Sequence, residues 1–464
     1  MTDNLRIRRD HSALSDGTLF GRRRRTTFRW KFGLWALVMA FAGGIMWQFD
    51  RVQPTVLALI SDPPTATPSN LTYTQAGYTA YLHGDLETAI NNYCLAAHGV
   101  PDKPFSAIRC ALPDLNSSYA KKPDVNVTYE LVRVMVYRTN DDRRLNIYNQ
   151  NAEDWGHLVA AGNPRSSRAL SIYSYSLYNN YKADQAIPAG ISGIDPNNGG
   201  ASNGDAYAFL SDAEYEGNRY SDALNYAEKA VSLDNNSVDA HIALANALFF
   251  NNQFSSAEGE FLTATKINPF LEFPYFSLAA YYLYQKINRP EDAIAAYNTV
   301  LTIDNKSAKA YTRKCAAYLN QGDTTNALGA CKNATTLDDQ FAEAWKWQGQ
   351  VLYNRRDYED ALTSFKKCRD LEDDSVAKKE ITPQDRLPEC WYLGGLAYYT
   401  LDDGRNHYCE QYALKLFNEV LTFSKNAQVV RLTSAGFQGC ASVNPNLQQP
   451  TPVPPTATLR PPIT

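Results

Sequence analysis

Residues that could do chemistry are few and dispersed along this chain. Six histidines, His11, His83, His98, His157, His241 and His407, are spread over 464 residues. No H-E-x-x-H spacing sets two imidazoles on one helix face for a metal ion. Asp195, Asn197 and Gly200 start like a calcium loop, but Gly199 and Ala206 stand where an oxygen ligand and the closing glutamate belong, so the segment reads as a turn. Ser375 and Lys378 have S-x-x-K spacing in a charged stretch without a companion motif. No phosphate-binding glycine loop occurs. The expectation is no catalysis, no cofactor and no metal.

What must position any site is a repeat. Ala223, Ala257, Ala293, Ala327 and Ala361 recur at about 34 residues, a period that signals stacked helix pairs. Between Ala240 and Pro269, His241, Leu244, Ala245 and Leu248 form one buried stripe of a first helix. Asn251, Asn252 and Gln253 make the turn. Ala257, Phe261, Ala264 and Ile267 line the second helix, and Pro269 closes the unit. The template fits again through Tyr207–Leu233, Tyr275–Ile303, Tyr311–Leu337, Trp345–Leu371 and Trp391–Val420, and near the front through Tyr73–Ala96. Residues around 286–290 add extra turn length in one unit. Between Gly99 and Gly204 the pattern is worn, with Tyr129–Tyr137 as one helix and Tyr173, Leu177, Ala186 and Pro196 in one degenerate unit.

This arrangement of aromatic, small, tyrosine and alanine positions resembles the tetratricopeptide family. The resemblance implies an all-α, right-handed solenoid that binds proteins or peptides in a groove lined by the first helices. Carried onto this sequence, groove positions include Asp239, Ile242, Asn246, Phe249, Phe250, Phe273, Phe276, Leu283, Tyr284, Lys309, Thr312, Asn320, Glu343, Lys346, Gln350, Tyr353, Asn354, Tyr392 and Tyr399. Members that clamp a terminal carboxylate share Asn246, Lys309 and Arg313 with this chain, but Ile242 and Ser277 depart from that clamp.

All eight cysteines follow residue 50, and an even count fits disulfides in an oxidising compartment. On the repeat template Cys315 and Cys331 face each other across one helix pair. Cys94 with Cys110, Cys368 with Cys390 and Cys409 with Cys440 are neighbours in sequence only. The absence of C-x-x-C argues against zinc.

Ahead of the repeats, residues 32–49 are an uncharged apolar run, long enough for one membrane helix of about 27 Å. Nine basic against three acidic residues in 1–31 place that arm in the cytoplasm and the repeats outside, by the positive-inside rule. The expectation is a single-pass cell-membrane protein. Cleavage after Ala42, releasing a secreted protein, is the rival. Ala36, Ala40 and Gly44 form a small-residue stripe that could pair two such helices in a homodimer. Removing the arm's +6 from the overall charge of −4 leaves about −10, which disfavours nucleic acid.

The expected organisation is a basic arm (1–31), a transmembrane signal anchor (32–49), a Pro/Thr-rich linker (50–69), a first unit (70–98), a degenerate helical region (99–204), the main array (205–440) and a Pro/Thr-rich disordered tail (441–464). The expected role is a scaffold holding another envelope or surface protein. The 30 tyrosines keep a polysaccharide receptor as the alternative.

Overall fold

The computed structural model describes residues 70–98, 110, 112, 123–139, 146–379 and 381–443. Among them are 19 α-helices and no strand. All lie in one unit, Pro68–Thr464; the other, Met1–Thr67, falls outside the described residues.

The helices pair in chain order into nine hairpins. They are α1 (Asn70–Leu82) with α2 (Leu86–His98), α3 (Val125–Thr139) with α4 (Asn146–Gly162), and α5 (Ser167–Asn179) with α6 (Ala183–Ile194). Next come α7 (Gly204–Glu216) with α8 (Tyr220–Leu233), α9 (Val238–Phe250) with α10 (Phe254–Ile267), and α11 (Glu272–Leu283) with α12 (Pro290–Ile303). The last are α13 (Ala308–Asn320) with α14 (Thr324–Leu337), α15 (Ala342–Asn354) with α16 (Tyr358–Ala377), and α17 (Glu389–Leu401) with α18 (Leu414–Phe423). A final helix, α19 (Ala427–Val443), packs on α17 and α18. Odd-numbered helices up to α17 are therefore first helices and even-numbered ones second helices.

Local chemistry sets these boundaries. Asn203, Ser237 and Ser307 each precede a first helix and accept a hydrogen bond from the backbone N–H three residues on, which satisfies a donor the helix cannot. Several first helices end in a left-handed residue: Asn218 (φ 62°), Asn252 (60°), Gly322 (81°) and Arg356 (69°). The next amide then bonds back, as Gln253 N–H does to Leu248 O at 2.9 Å, and the chain reverses. In α11–α12 the link is longer, 284–289 against 251–253, and there Pro290 opens the second helix, where its missing N–H costs nothing.

The five periodic alanines are fully buried, because only a methyl fits where the two helices of a hairpin touch. Glycine makes a closer contact still. A Cβ on Gly349 would sit 2.6 Å from the Phe365 ring, and one on Gly395 would sit 2.4 Å from Phe417.

The worn stretch is helical too. Leu177 and Ala186 are buried in α5–α6, while Pro196 starts a separate 3-10 turn. Helix α3 departs most from the template. Val127, Thr128, Tyr129, Leu131, Val132, Val134, Met135, Val136 and Tyr137 are all buried, so most of its circumference is covered and no solvent-facing stripe reveals its register.

The membrane expectation needs correction. No helix among the described residues is long and apolar enough to cross a membrane, so a single-pass anchor, and the cell-membrane localisation drawn from it, is not supported. Residues 32–49, to which that reading and the Ala36, Ala40 and Gly44 dimer stripe attach, lie outside the described residues, as does the tail from 444.

Candidate functional site: the first-helix faces

The hairpin stack brings the second residue of successive first helices into one row: Arg168 on α5, Asp205 on α7, Asp239 on α9, Phe273 on α11, Lys309 on α13 and Glu343 on α15. Each stands one residue past its helix start, so the row repeats with the hairpin. The expected groove residues distribute around this row in three groups.

The first group is covered by the chain itself. Tyr137 of α3 donates its hydroxyl to Asp239 Oδ1 at 2.6 Å and stacks on Phe273 with ring centroids 5.3 Å apart. Tyr129 donates to Asp205, which also accepts from Ser237 Oγ at 3.0 Å. Glu130 binds Arg168 at 2.8 Å and Arg133 at 2.6 Å, and Arg133 lies 3.7 Å from Asp239. Asn246 lies beside Asp212, whose buried carboxyl is pushed up to about 8 by desolvation and by Asp239.

The second group is an aromatic cluster at the far ends of α7, α9 and α11. Phe250 stacks on Tyr215 at 4.1 Å and on Tyr220 at 6.0 Å; Phe249 meets Tyr284 edge-on at 4.7 Å and Phe254 at 5.7 Å. These rings face one another in the arrangements aromatic quadrupoles favour. Farther along, Tyr353 meets Tyr358 edge-on at 5.4 Å, and Tyr392 packs against the core around Trp391. Tyr399 lies under α19, whose Gly439 approaches its ring so closely that a Cβ would lie 2.8 Å away.

The third group is charged. Glu343 binds Arg313 at 2.6 Å and lies 3.9 Å from Lys346. Burial alone would raise this carboxyl; Arg313, Lys346, the Trp347 N–H and Lys309 overcome it and hold it down to about 2. Lys346 also lies over the Trp347 ring at 4.3 Å, and Lys309 over Phe276 at 4.6 Å. Gln350 is half-buried one turn beyond.

Phe276 and Lys309 form part of the wall of a cleft of about 770 Å³. His83, Asp85 and Glu87 from the α1–α2 turn, Tyr137 and Arg138 from α3, and Glu272, Asp304, Asp338 and Asp374 complete much of it. Glu272 is raised to about 7 by desolvation and Asp304.

Of the chemistry-bearing residues singled out in the sequence, His83, Ser375 and Lys378 lie along this cleft. Lys378 is paired with Asp374 at 2.6 Å. His241 is buried, its ring held between Glu260 at 2.5 Å and the Asn235 carbonyl at 3.0 Å. Asp195 caps the Pro196–Asn198 turn. The structure joins the cysteines as Cys94–Cys110, Cys315–Cys331, Cys368–Cys390 and Cys409–Cys440, with Cα separations of 5.9, 5.3, 6.1 and 5.5 Å. His98 stands beside the first pair, within 4.8 Å of both sulfurs. A sequence reading tuned to C-x-x-C misses this juxtaposition, and the sulfur–sulfur bond takes both sulfurs away from metal ligation. Arg168 and Asp205 also lie outside the expected groove set, although Asp205 stands one 34-residue period before Asp239.

Two stretches, 203–280 and 316–371, match family profiles described as tetratricopeptide repeat. No curated protein matches the chain. Solved structures similar to it include MamA from Desulfovibrio magneticus RS-1, at 20% identity over 37% of this chain and 96% of that one, TM-score 0.32. YrrB, described as a TPR protein with an unusual peptide-binding site, is 15% identical over 44% of this chain and 94% of its own, TM-score 0.31. TTC0263, described as a thermophilic TPR protein in Thermus thermophilus, is 14% identical over 40% of this chain and 100% of its own, TM-score 0.35. At such scores these likenesses carry no weight beside the two profile matches. Those matches fall on the helix hairpins built around Ala223, Ala257, Ala327 and Ala361, and identify 203–280 and 316–371 as tetratricopeptide repeats.

Proposed function

We propose that the chain is a non-catalytic scaffold that holds a partner protein or peptide along the first-helix faces of α11, α13 and α15. The observation that carries this reading is the cleft beside Phe276 and Lys309, where an apolar ring and a cation lie on a first-helix face next to about 770 Å³ of open space. An extended segment or helix suits such a surface, with its apolar side chains against exposed Leu337 and its polar groups reaching Lys309 and the charged walls. The four cysteine pairs support work in a compartment where disulfides form.

The test is co-purification after gentle extraction from the native source, with wild type beside a Lys309→Glu, Gln350→Arg variant. Wild type is expected to carry a partner in fixed stoichiometry, and the variant to lose at least about nine-tenths of it. Equal recovery by the variant contradicts the site. A chain that carries no partner yet is retarded on a polysaccharide column contradicts the scaffold.

A further inference from the structure

Helix α3 lies across the row of second positions in the way a bound helix would. Its residues Tyr129, Arg133 and Tyr137 are spaced i, i+4, i+8, so they share one stripe of the helix. Together with neighbouring Glu130, that stripe meets four rungs of the row in order: Glu130 on Arg168, Tyr129 on Asp205, Tyr137 and Arg133 on Asp239, and the Tyr137 ring on Phe273. Arg168 covers the Tyr129 ring at 3.9 Å, which fixes the first rung. A second contact lies nearby. The α1–α2 turn abuts the start of α11 so closely that a Cβ on Gly84 would lie 2.0 Å from the Phe270 carbonyl oxygen.

We propose that this row is a helix-reading strip whose occupant is the chain's own α3, forming a reversible clasp that closes the first-helix faces of α7 and α9, and the first turn of α11 at Phe273, to outside partners. The apolar residues of α3 pack on α2, α4 and α5, and reversibility concerns only its polar face toward the row. The contact is ionic and incompletely paired: Arg133 Nε, Arg168 Nε and Asp239 Oδ2 are buried with no hydrogen-bond partner in the protein, as is Oδ1 of Asp212, which lies on α7 behind Asp239. A buried polar network in that condition fixes register well and stabilises poorly.

Its charge balance also makes it sensitive to pH. Asp239 faces Arg133, Tyr137 and Glu130 on α3, Tyr81 on α1, Tyr175 on α5, and Asp205 and Asp212 on α7. Desolvation raises the carboxyls of both Asp239 and Asp212, so the closed clasp binds protons that an open, hydrated one releases. The clasp is therefore tightest on the acid side and loosens as pH rises from the ordinary carboxylate range toward about 8.

Hydrogen exchange on the full chain, corrected for the intrinsic pH dependence of exchange, tests this. In wild type, protection of amides in α3 and the first turns of α7 and α9 is expected to fall about tenfold or more between about pH 6 and about pH 9, with α13–α16 unchanged. Tyr137→Phe, which keeps the ring on Phe273 and removes the hydroxyl, is expected to lower the same protections at the lower pH. Asp239→Asn combined with Asp212→Asn removes both titrating groups while keeping their shape, and is expected to flatten the pH dependence. Protection that falls equally in α13–α16, or that ignores pH in wild type, overturns the clasp. So does a pH dependence that survives in the double variant.

Discussion

At the scale of single residues, Glu343 is the most strongly conditioned charge in the open part of the strip. Its carboxyl is held at about 2 in the folded chain against an ordinary value of 4.5, so the folded state keeps the charge to lower pH than the unfolded chain does. The stabilisation is complete above the ordinary value and is lost as pH falls toward 2. Thermal unfolding of Glu343→Gln followed across that window should show a shallower acid loss than wild type; parallel acid limbs would remove Glu343 from the account. Two further positions test the hairpin geometry. Gly349→Ala drives a methyl into the fully buried Phe365 and should cost about 1–3 kcal/mol, read as a lower melting temperature. Arg356 holds φ 69° at the turn where another hairpin has Gly322, so Arg356→Gly should gain about 0.5–1 kcal/mol in denaturant unfolding despite its added chain entropy.

At the scale of elements, each hairpin is short and stable only against its neighbours, so a cross-link within one matters. Cys315 on α13 and Cys331 on α14 close a separation of 16 residues. Replacing both with serine should cost about 3 kcal/mol and melt the middle of the array first; a melting curve unchanged in position would argue against the bond. The hairpins themselves were legible in the sequence, because the helix-to-helix distance admits only alanine or glycine and those residues recur with the period. The caps at Ser237 and Ser307 emerge only with the structure, although serine is a favoured capping residue. Helix α3 was visible as a helix, but its partners were not. Most of its circumference is buried, which blurs the amphipathic stripe from which facing elements are read, and its contacts with Asp239 and Phe273 span more than a hundred residues of chain, as between Tyr137 and Asp239 at a separation of 102. Arg168 carries no signal of its place because it lies inside the worn stretch, where the template gives no numbering.

At the scale of the whole molecule, the row of second positions divides in two. Arg168, Asp205, Asp239 and Phe273 are engaged by α3, and the row continues past the point where α3 ends, to Lys309 beside the cleft and on to Glu343. The sequence assigned Asp239, Phe273, Lys309 and Glu343 to one groove, as the resemblance implied, but not Arg168 or Asp205, and it could not tell the self-covered part from the open part. That distinction depends on hairpins distant in the chain meeting face to face. A partner should therefore be read by α11, α13 and α15, with α7 and α9 silent while the clasp is shut.

The most direct test of the scaffold is site-specific photocrosslinking in intact cells, with the probe placed in turn at Lys309 and Gln350 on the first-helix face and at exposed Thr363 on second helix α16. The same discrete adduct is expected from Lys309 and Gln350 and none from Thr363. Adducts from Thr363 alone, or none from any of the three positions, would contradict it.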